Sequence, residues 1–330
     1  MRAGFSSEAE IIRHIRRTVV RTTRQLVLPI GDDAAAFRPR PGRLLLVSTD
    51  ALVEGVHFDL DYCSAEDTGW KALAVNLSDI AAMGGTPLFA TTSIAVPREV
   101  ISGFVPRFYR GLAALARQHA VTLIGGDSCR SRQGIFVDVT IIGDVQPAHL
   151  STRQGARPGD SIYVTGELGR SAIGLELLTR PGKKTWRSAA VRRHLRPQPR
   201  CFAGRYLAER KLASAMIDLS DGLSTDLGHL CKQSGVGADL ELSQIPTATI
   251  TDRERRSLSN APLHYALHGG EDYELLFTVP SRVGRQVPLY IDGLPVRRIG
   301  QITQGAGLWL CDGARRRRLK ASGFDHFTEW

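Results

Sequence analysis

The chain has 330 residues, 42% apolar and 23% charged, a length and balance that suit two globular domains and exclude a disordered protein. Its net charge of +10 favours anionic partners, but the basic residues are scattered over 13–24, 187–200, 254–256 and 315–318, with no aromatic-rich RNA-binding motif or zinc finger. Phosphorylated metabolites are therefore expected in place of nucleic acid; the five cysteines form no C-x-x-C pair and no apolar run spans a membrane, which points to a reducing, cytoplasmic setting with no membrane attachment.

Ile11, Ile12 and Ile15 predict a first helix from Glu8 to about Arg17, capped by Ser6 or Ser7. Residues 43–49 read as a buried strand ending at Asp50, and 67–83 as a helix closed by Gly84-Gly85. A strand over 88–96 stops at Pro97, and a helix over 98–119 is expected to be interrupted near Pro106. Short strands follow at 121–124 and 135–143. Two prolines and two glycines in 147–160 mark a domain boundary, giving domains 1–147 and 148–330. The second domain reads as a strand at 161–165, a glycine turn at 166–169, a helix over 171–178, and an Arg/Pro-rich surface loop with a short helix over 180–200. Strands at 214–219, 238–242 and 273–279 and a helix over 223–234 complete an α/β pattern. Arg315 to Arg318 read as a solvated turn.

Six acidic motifs punctuate these elements: GDD at 31–33, STD at 48–50, NLSD at 76–79, GGD at 125–127, DLSD at 218–221 and GGED at 269–272. Nearly all sit where an apolar run meets glycine. A single Asp beside Gly is ordinarily a turn or a helix cap. Six such junctions in a basic chain call for something cationic between the carboxylates, and oxygen-only donors suit Mg²⁺ carrying a polyphosphate. Asp33, Asp50, Asp79, Asp127, Asp218 and Asp221 are the candidate metal ligands, with Ser48, Thr49 and Ser220 as further oxygen donors. There is no G-x-x-x-x-G-K-[ST], kinase H-R-D or D-F-G, G-x-G-x-x-G or G-x-S-x-G, so the common nucleotide folds and the serine-hydrolase fold are excluded.

The blocks GDDAAAF (31–37), STDALVEGVHF (48–58), KALAVNLSDIAAMGGTP (71–87), IGGDSCRS (124–131), IDLSDGLSTDLGHL (217–230), HGGEDYELLFTVP (268–280) and GFDHF (323–327) resemble the thiamine-monophosphate kinase family. The resemblance spans almost the whole chain. It implies a two-domain fold like that of aminoimidazole ribonucleotide synthetase, α/β or α+β, with N-terminal sheets pairing into a barrel across a homodimer. It also implies a reaction: ATP and thiamine monophosphate give ADP and thiamine diphosphate by direct in-line transfer assisted by several Mg²⁺ ions. That reaction is the last step of thiamine diphosphate biosynthesis. By the same resemblance Asp33, Ser48, Thr49, Asp50, Asp79, Asp127, Asp218 and Asp221 bind metal. Arg110, Gly126, Asp127, Arg153 and Ser220 contact the nucleotide, and His57, Glu271 and Phe324 contact the thiamine substrate, with no covalent nucleophile. Ser128-Cys129 departs from the threonines common after GGD.

Two other readings stand beside this one: another ATP-dependent enzyme of the superfamily, such as aminoimidazole ribonucleotide synthetase, or a non-enzymatic nucleotide-binding protein. Selenophosphate synthetase needs a reactive Cys near the N-terminus, whereas the first here is Cys63. The hydrogenase maturation protein ends in Cys, whereas this chain ends at Trp330.

Overall fold

The computed structural model describes residues 8–19, 23–180 and 188–323. The chain divides into two compact units, residues 1–80 with 85–148 and residues 81–84 with 149–330. Ser6, Ser7 and Phe324 lie outside the described residues.

The first unit begins with α1 (Glu8–Val19) and a small antiparallel pair, β1 (Leu26–Leu28) and β2 (Ala36–Phe37). Then come β3 (Leu44–Val53), α2 (Ala65–Ala82), β4 (Thr86–Val96), α3 (Ile101–Gln118), β5 (Thr122–Arg130) and β6 (Phe136–Val145). Their sheet runs in the order β3-β6-β4-β5, antiparallel except for the β4/β5 pair. Leu73, Leu77 and Ile80 of α2 and Phe104, Phe108, Leu112 and Leu115 of α3 recur at helical spacing and are buried, as are Phe89, Val137, Val139 and Ile141 of the sheet. The edge strand β3 differs: Leu45 and Val47 are exposed, Val47 at 68%. An open edge carrying apolar side chains is a surface that ordinarily seeks a partner.

The second unit holds β7 (Ser161–Thr165), α4 (Arg170–Thr179), α5 (Ala189–Leu195), α6 (Cys201–Glu209), β8 (Ala215–Asp218), α7 (Leu223–Ser234), β9 (Gly237–Glu241), α8 (Asp252–Arg255) and α9 (Pro262–His268). After these come β10 (Leu275–Val279), β11 (Tyr290–Ile291), β12 (Leu294–Thr303), β13 (Leu308–Asp312) and β14 (Arg315–Leu319). The strands lie in the order β14-β13-β9-β12-β7-β10-β8, with β11 paired to β12. The β9/β13 pair is parallel and the others are antiparallel. Ile162, Val164, Ile217, Leu276 and Ile299 from the strands meet Leu227 and Leu230 of α7 in one core.

Several elements differ from the sequence expectation. Pro106 does not interrupt α3, which runs unbroken through it. Proline there removes one hydrogen bond, the one its N–H would have made to the Ser102 carbonyl, and burial of Phe104, Val105, Phe108 and Tyr109 around it holds the helix. β3 continues past Asp50 to Val53, and β5 continues through the GGD motif to Arg130, so these motifs lie within strands and not at their ends. Ladder pairing with β6 and β4 carries both strands through. Arg315 to Arg318 are not a turn. They form the edge strand β14, whose pairing with β13 is helped by Arg316, which lies over the Trp309 ring and bonds Asp239 at 2.8 Å.

Candidate functional site: two acidic clusters

In the first unit, strand alternation sorts the STD motif. Ser48 and Asp50 share the face of β3 that also carries Leu46 and the buried Leu52, whereas Thr49 is exposed on the other. Ser48 Oγ donates a hydrogen bond to Asp79 Oδ2 on α2. Thr49 Oγ1 instead donates to Asp138 Oδ2 at 2.9 Å and lies 3.1 Å from Thr140 Oγ1. The structure thus joins Ser48 with Asp79 and sets the Thr49 hydroxyl on the opposite face. Asp33 is exposed, and its N–H donates to Asp32 Oδ1 at 2.9 Å.

Asp127 is exposed on β5, where its Oδ1 accepts the Ser128 N–H at 2.9 Å. Beside it Gly126 has φ +154°, and a Cβ there would lie 2.1 Å from the Thr92 carbonyl oxygen. Only glycine lets β5 approach β4 so closely while baring its own backbone. Gly126, Asp127 and Tyr109 line one small cavity with Ile12 and Ile15 of α1. The Tyr109 phenol is pushed up by burial, an effect that Ser128 opposes and Asp127 reinforces. Arg110 points elsewhere, into an ion pair with Glu66 at 3.0 Å. Tyr109, the neighbour of Arg110, lines this cavity and was not singled out from the sequence; an aromatic on an otherwise apolar helix face carries no signal of its own.

His57 lies in the turn after β3. The Val53 N–H donates to its Nδ1 at 3.0 Å, so the neutral ring carries its proton on Nε2. The Lys71 ammonium donates to the His57 carbonyl at 2.9 Å although Lys71 is only 1% exposed. Lys71 was also missed. Its position in an apolar helical run gives no hint that its amine reaches a loop backbone.

In the second unit β8 ends at the buried Asp218, and the loop 219–222 leads into α7. Asp226, in the first turn of α7, accepts the N–H groups of Asp221 and Gly222 at 3.0 Å each. Its carboxyl is pushed up to about 8, first by burial and then by the charges of Asp218 and Asp221. Burial and the two neighbouring carboxylates thus disfavour the charged form of Asp226, a condition that a divalent cation relieves. Arg153 is exposed, its carbonyl accepting the Ser234 hydroxyl at 3.2 Å.

The GGED loop is strapped to this one. Glu271 N–H donates to Ser220 O at 2.7 Å and Tyr273 N–H to Leu219 O at 2.9 Å. Glu271 and Tyr273 have φ of 64° and 50°, strained values for side chains of this size. The motif divides its labour. Glu271 Oε2 stands 3.1 Å from Nδ1 of His194 on α5. Asp272 turns inward, its carboxylate taking the N–H groups of Gly169 and Ser171 and capping α4. Burial pushes Asp272 up to about 7.

Among the described residues no three His, Cys, Asp or Glu side chains converge as a ready-made metal cage. That is compatible with Mg²⁺, which keeps waters and phosphate oxygens in its octahedral shell and takes few protein ligands. The donors present in both clusters, carboxylates and a hydroxyl without thiolate or imidazole, are of the type it prefers.

Two domain families match: AIR synthase related protein, N-terminal domain, over residues 31–145, and its C-terminal domain over residues 157–310. Together they define the chain as a two-domain, mixed α/β member of the AIR synthase related proteins. Curated relatives narrow this. The thiamine-monophosphate kinase of Escherichia coli O157:H7 is 41% identical over 94% of this chain and 95% of its own length. That of Bacillus subtilis is 36% identical over 90% of this chain and 93% of its own. The solved thiamine-monophosphate kinase of Stenotrophomonas maltophilia superposes with a TM-score of 0.80 at 36% identity, covering 95% of this chain and 99% of that one. AaThiL complexed with AMPPCP and TMP superposes with a TM-score of 0.78 at 34% identity, covering 99% of each chain. The chain belongs to the thiamine-monophosphate kinase family. At 18% identity, the Escherichia coli hydrogenase maturation protein HypE shares the fold, with a TM-score of 0.73.

Proposed function

We propose that the chain transfers the γ-phosphoryl group of ATP to thiamine monophosphate. The observation that carries this is the near-full-length likeness to thiamine-monophosphate kinases, including a homologue solved with an ATP analogue and TMP. A phosphate oxygen of thiamine monophosphate attacks the γ-phosphorus in line, the bond to the β,γ-bridging oxygen breaks, and ADP leaves with that electron pair. No covalent nucleophile on the protein takes part.

Asp33, Ser48, Asp50, Asp79 and Asp127 of the N-terminal domain (1–147) and Asp218 and Asp221 of the C-terminal domain (148–330) are the proposed Mg²⁺ ligands. The Thr49 side chain faces away from Asp79, so in this role it offers its backbone. Bound Mg²⁺ ions neutralise the polyphosphate and the charge developing in transfer. Gly126 offers close backbone approach to the nucleotide, and Arg153, Ser220 and Arg110 complete the proposed nucleotide contacts. For Arg110 that contact requires release of Glu66. His57, with its proton held on Nε2, donates to the thiamine phosphate. Glu271, held by His194, and Phe324 contact the thiamine rings. Pairing of β3 across a homodimer, closing the N-terminal sheets into a barrel, would cover Leu45 and Val47. A cytoplasmic setting fits an ATP-consuming reaction and five free cysteines.

The test is incubation with ATP, Mg²⁺ and either thiamine monophosphate or formylglycinamidine ribonucleotide. Thiamine diphosphate from the first supports the proposal. The purine imidazole from the second would mean another enzyme of the superfamily, and product from neither would overturn both.

A further inference from the structure

We propose that an arginine-lined cavity beside α5 binds the diphosphate group of a small organic phosphate, at a site separate from the groups assigned to catalysis above. The cavity has a volume of about 430 Å³ and lies wholly within the second unit. Its wall carries Arg170, Arg192, Arg193, Arg196 and Arg200, and among the described lining residues Glu167 is the sole carboxylate.

Two of these guanidiniums are fixed in orientation. Arg193 Nη2 donates to Glu274 Oε1 at 2.7 Å, and Arg200 Nε donates to Glu274 Oε2 at 2.8 Å. The Glu274 side chain is fully buried and also accepts the Thr165 hydroxyl at 2.7 Å. One carboxylate thus serves two arginines and neutralises one. Arg170 is paired with Glu167. Arg193 Nη1 is shielded from solvent and has no hydrogen-bond partner, an uncompensated donor of a kind rare in folded proteins. Burial pulls Arg193 down from its ordinary value, Glu274 opposes this, and Arg200 adds to the burial effect. Among the described residues, Glu274 is shared by Arg193 and Arg200, Glu167 pairs with Arg170, and the charge of the buried Asp272 also acts on Arg193.

A simpler account covers part of this. Cations in the last turn of α5 complement its dipole, which explains Arg192 and Arg193 as sequence choices. It does not explain why Arg200, from outside that helix, converges on the same buried carboxylate as Arg193. Fork-shaped guanidiniums held in place are the usual receptors for phosphate oxygens. The cavity is larger than a bare diphosphate needs, and Leu294 and Pro295 supply an apolar wall, so an organic diphosphate fits better than an inorganic one.

The test uses the full-length chain in EDTA, where polyphosphate binding that depends on bound metal is absent. Inorganic pyrophosphate, ADP and thiamine diphosphate are titrated calorimetrically into the wild type and into Arg192→Glu/Arg196→Glu. We expect metal-independent binding that weakens about tenfold or more in the variant, while its turnover with Mg²⁺ is retained. Whichever of ADP and thiamine diphosphate binds more tightly than pyrophosphate identifies the organic part. Arg192→Gln, at an exposed position, gives a smaller loss in the same direction should the double variant fail to fold. No binding to the wild type in EDTA, or equal binding by wild type and variant, overturns the site. Pyrophosphate binding as tightly as both organic ligands overturns the organic class.

Discussion

Nδ1 of His194 stands 3.1 Å from Oε2 of Glu271, and the same nitrogen is 3.1 Å from the Ser171 hydroxyl. A buried imidazole on α5 therefore fixes a side chain that projects from a strained backbone. His194→Ala removes the anchor without touching the acidic clusters. The expected result is a rise of about threefold to tenfold in KM for thiamine monophosphate, with kcat and KM for ATP nearly unchanged. Steady-state kinetics with each substrate varied checks this. A fall in kcat at constant KM would place the effect on the chemistry and not on substrate holding.

Asp79 accepts the Ser48 hydroxyl across the β3–α2 contact, joining two motifs that are far apart in sequence. If both hold Mg²⁺, Asp79→Asn loses charge but little volume. Turnover should fall by about a thousandfold or more at saturating Mg²⁺, with the circular dichroism and melting curve of the wild type. Asp50→Asn should behave alike. EDTA should abolish wild-type turnover, and excess Mg²⁺ should restore it. Near-wild-type turnover in both variants would remove the metal assignment.

The larger elements of the first unit, β7, α4, α5, β8, α7, β9 and β10 of the second, and the acidic motifs were legible because each depends on local pattern, apolar runs of the right period and then aspartate beside glycine, whereas β1, β2, α6, α8, α9 and β11 to β14 were not. What the motifs do individually was less legible. Asp272 and Glu271 are adjacent in GGED, yet one caps α4 from within the core and the other faces His194. That division follows from positive φ at Glu271 and Tyr273, a tertiary strain no propensity encodes. Thr49 was grouped with Ser48 and Asp50 as an oxygen donor of the STD motif, by hydroxyl or by backbone. Once β3 runs through it, period two sends Thr49 to the other face. The Arg193–Glu274–Arg200 cluster was invisible because its members meet only in the folded chain.

Asp226 supplies a pH signature. Its folded carboxyl is raised to about 8 by burial and by Asp218 and Asp221. In the unfolded chain it titrates near 4. Between those values the folded state holds a proton that the unfolded state has lost, so stability falls as pH rises, by at most about 1.4 kcal/mol per pH unit from this group. The fall ends above the folded value. This carboxyl therefore takes stability away from the metal-free protein from about pH 4 to 8, against the opposite contribution of His14, His119 and His268, which burial lowers. Asp226→Asn keeps an oxygen for the Asp221 and Gly222 N–H groups and should flatten that slope. Urea unfolding in EDTA across this range measures it. An equal slope in wild type and variant would assign the dependence to other groups.

Gly125 and Gly126 are neighbours with opposite tolerances. A Cβ at Gly125 would meet nothing closer than Thr91 Cγ2 at 3.4 Å, an ordinary contact. At Gly126 it would lie 2.1 Å from the Thr92 carbonyl oxygen, on a residue with φ +154°. Relief requires β5 to move away from β4, disturbing the Asp127 that follows. Gly126→Ala should cost about 1–3 kcal/mol or more in urea unfolding, and KM for ATP should rise in whatever fraction folds. Gly125→Ala should cost less than about 1 kcal/mol and leave KM for ATP close to wild type. Equal losses in the two variants would mean that the close approach at Gly126 is not what the motif requires.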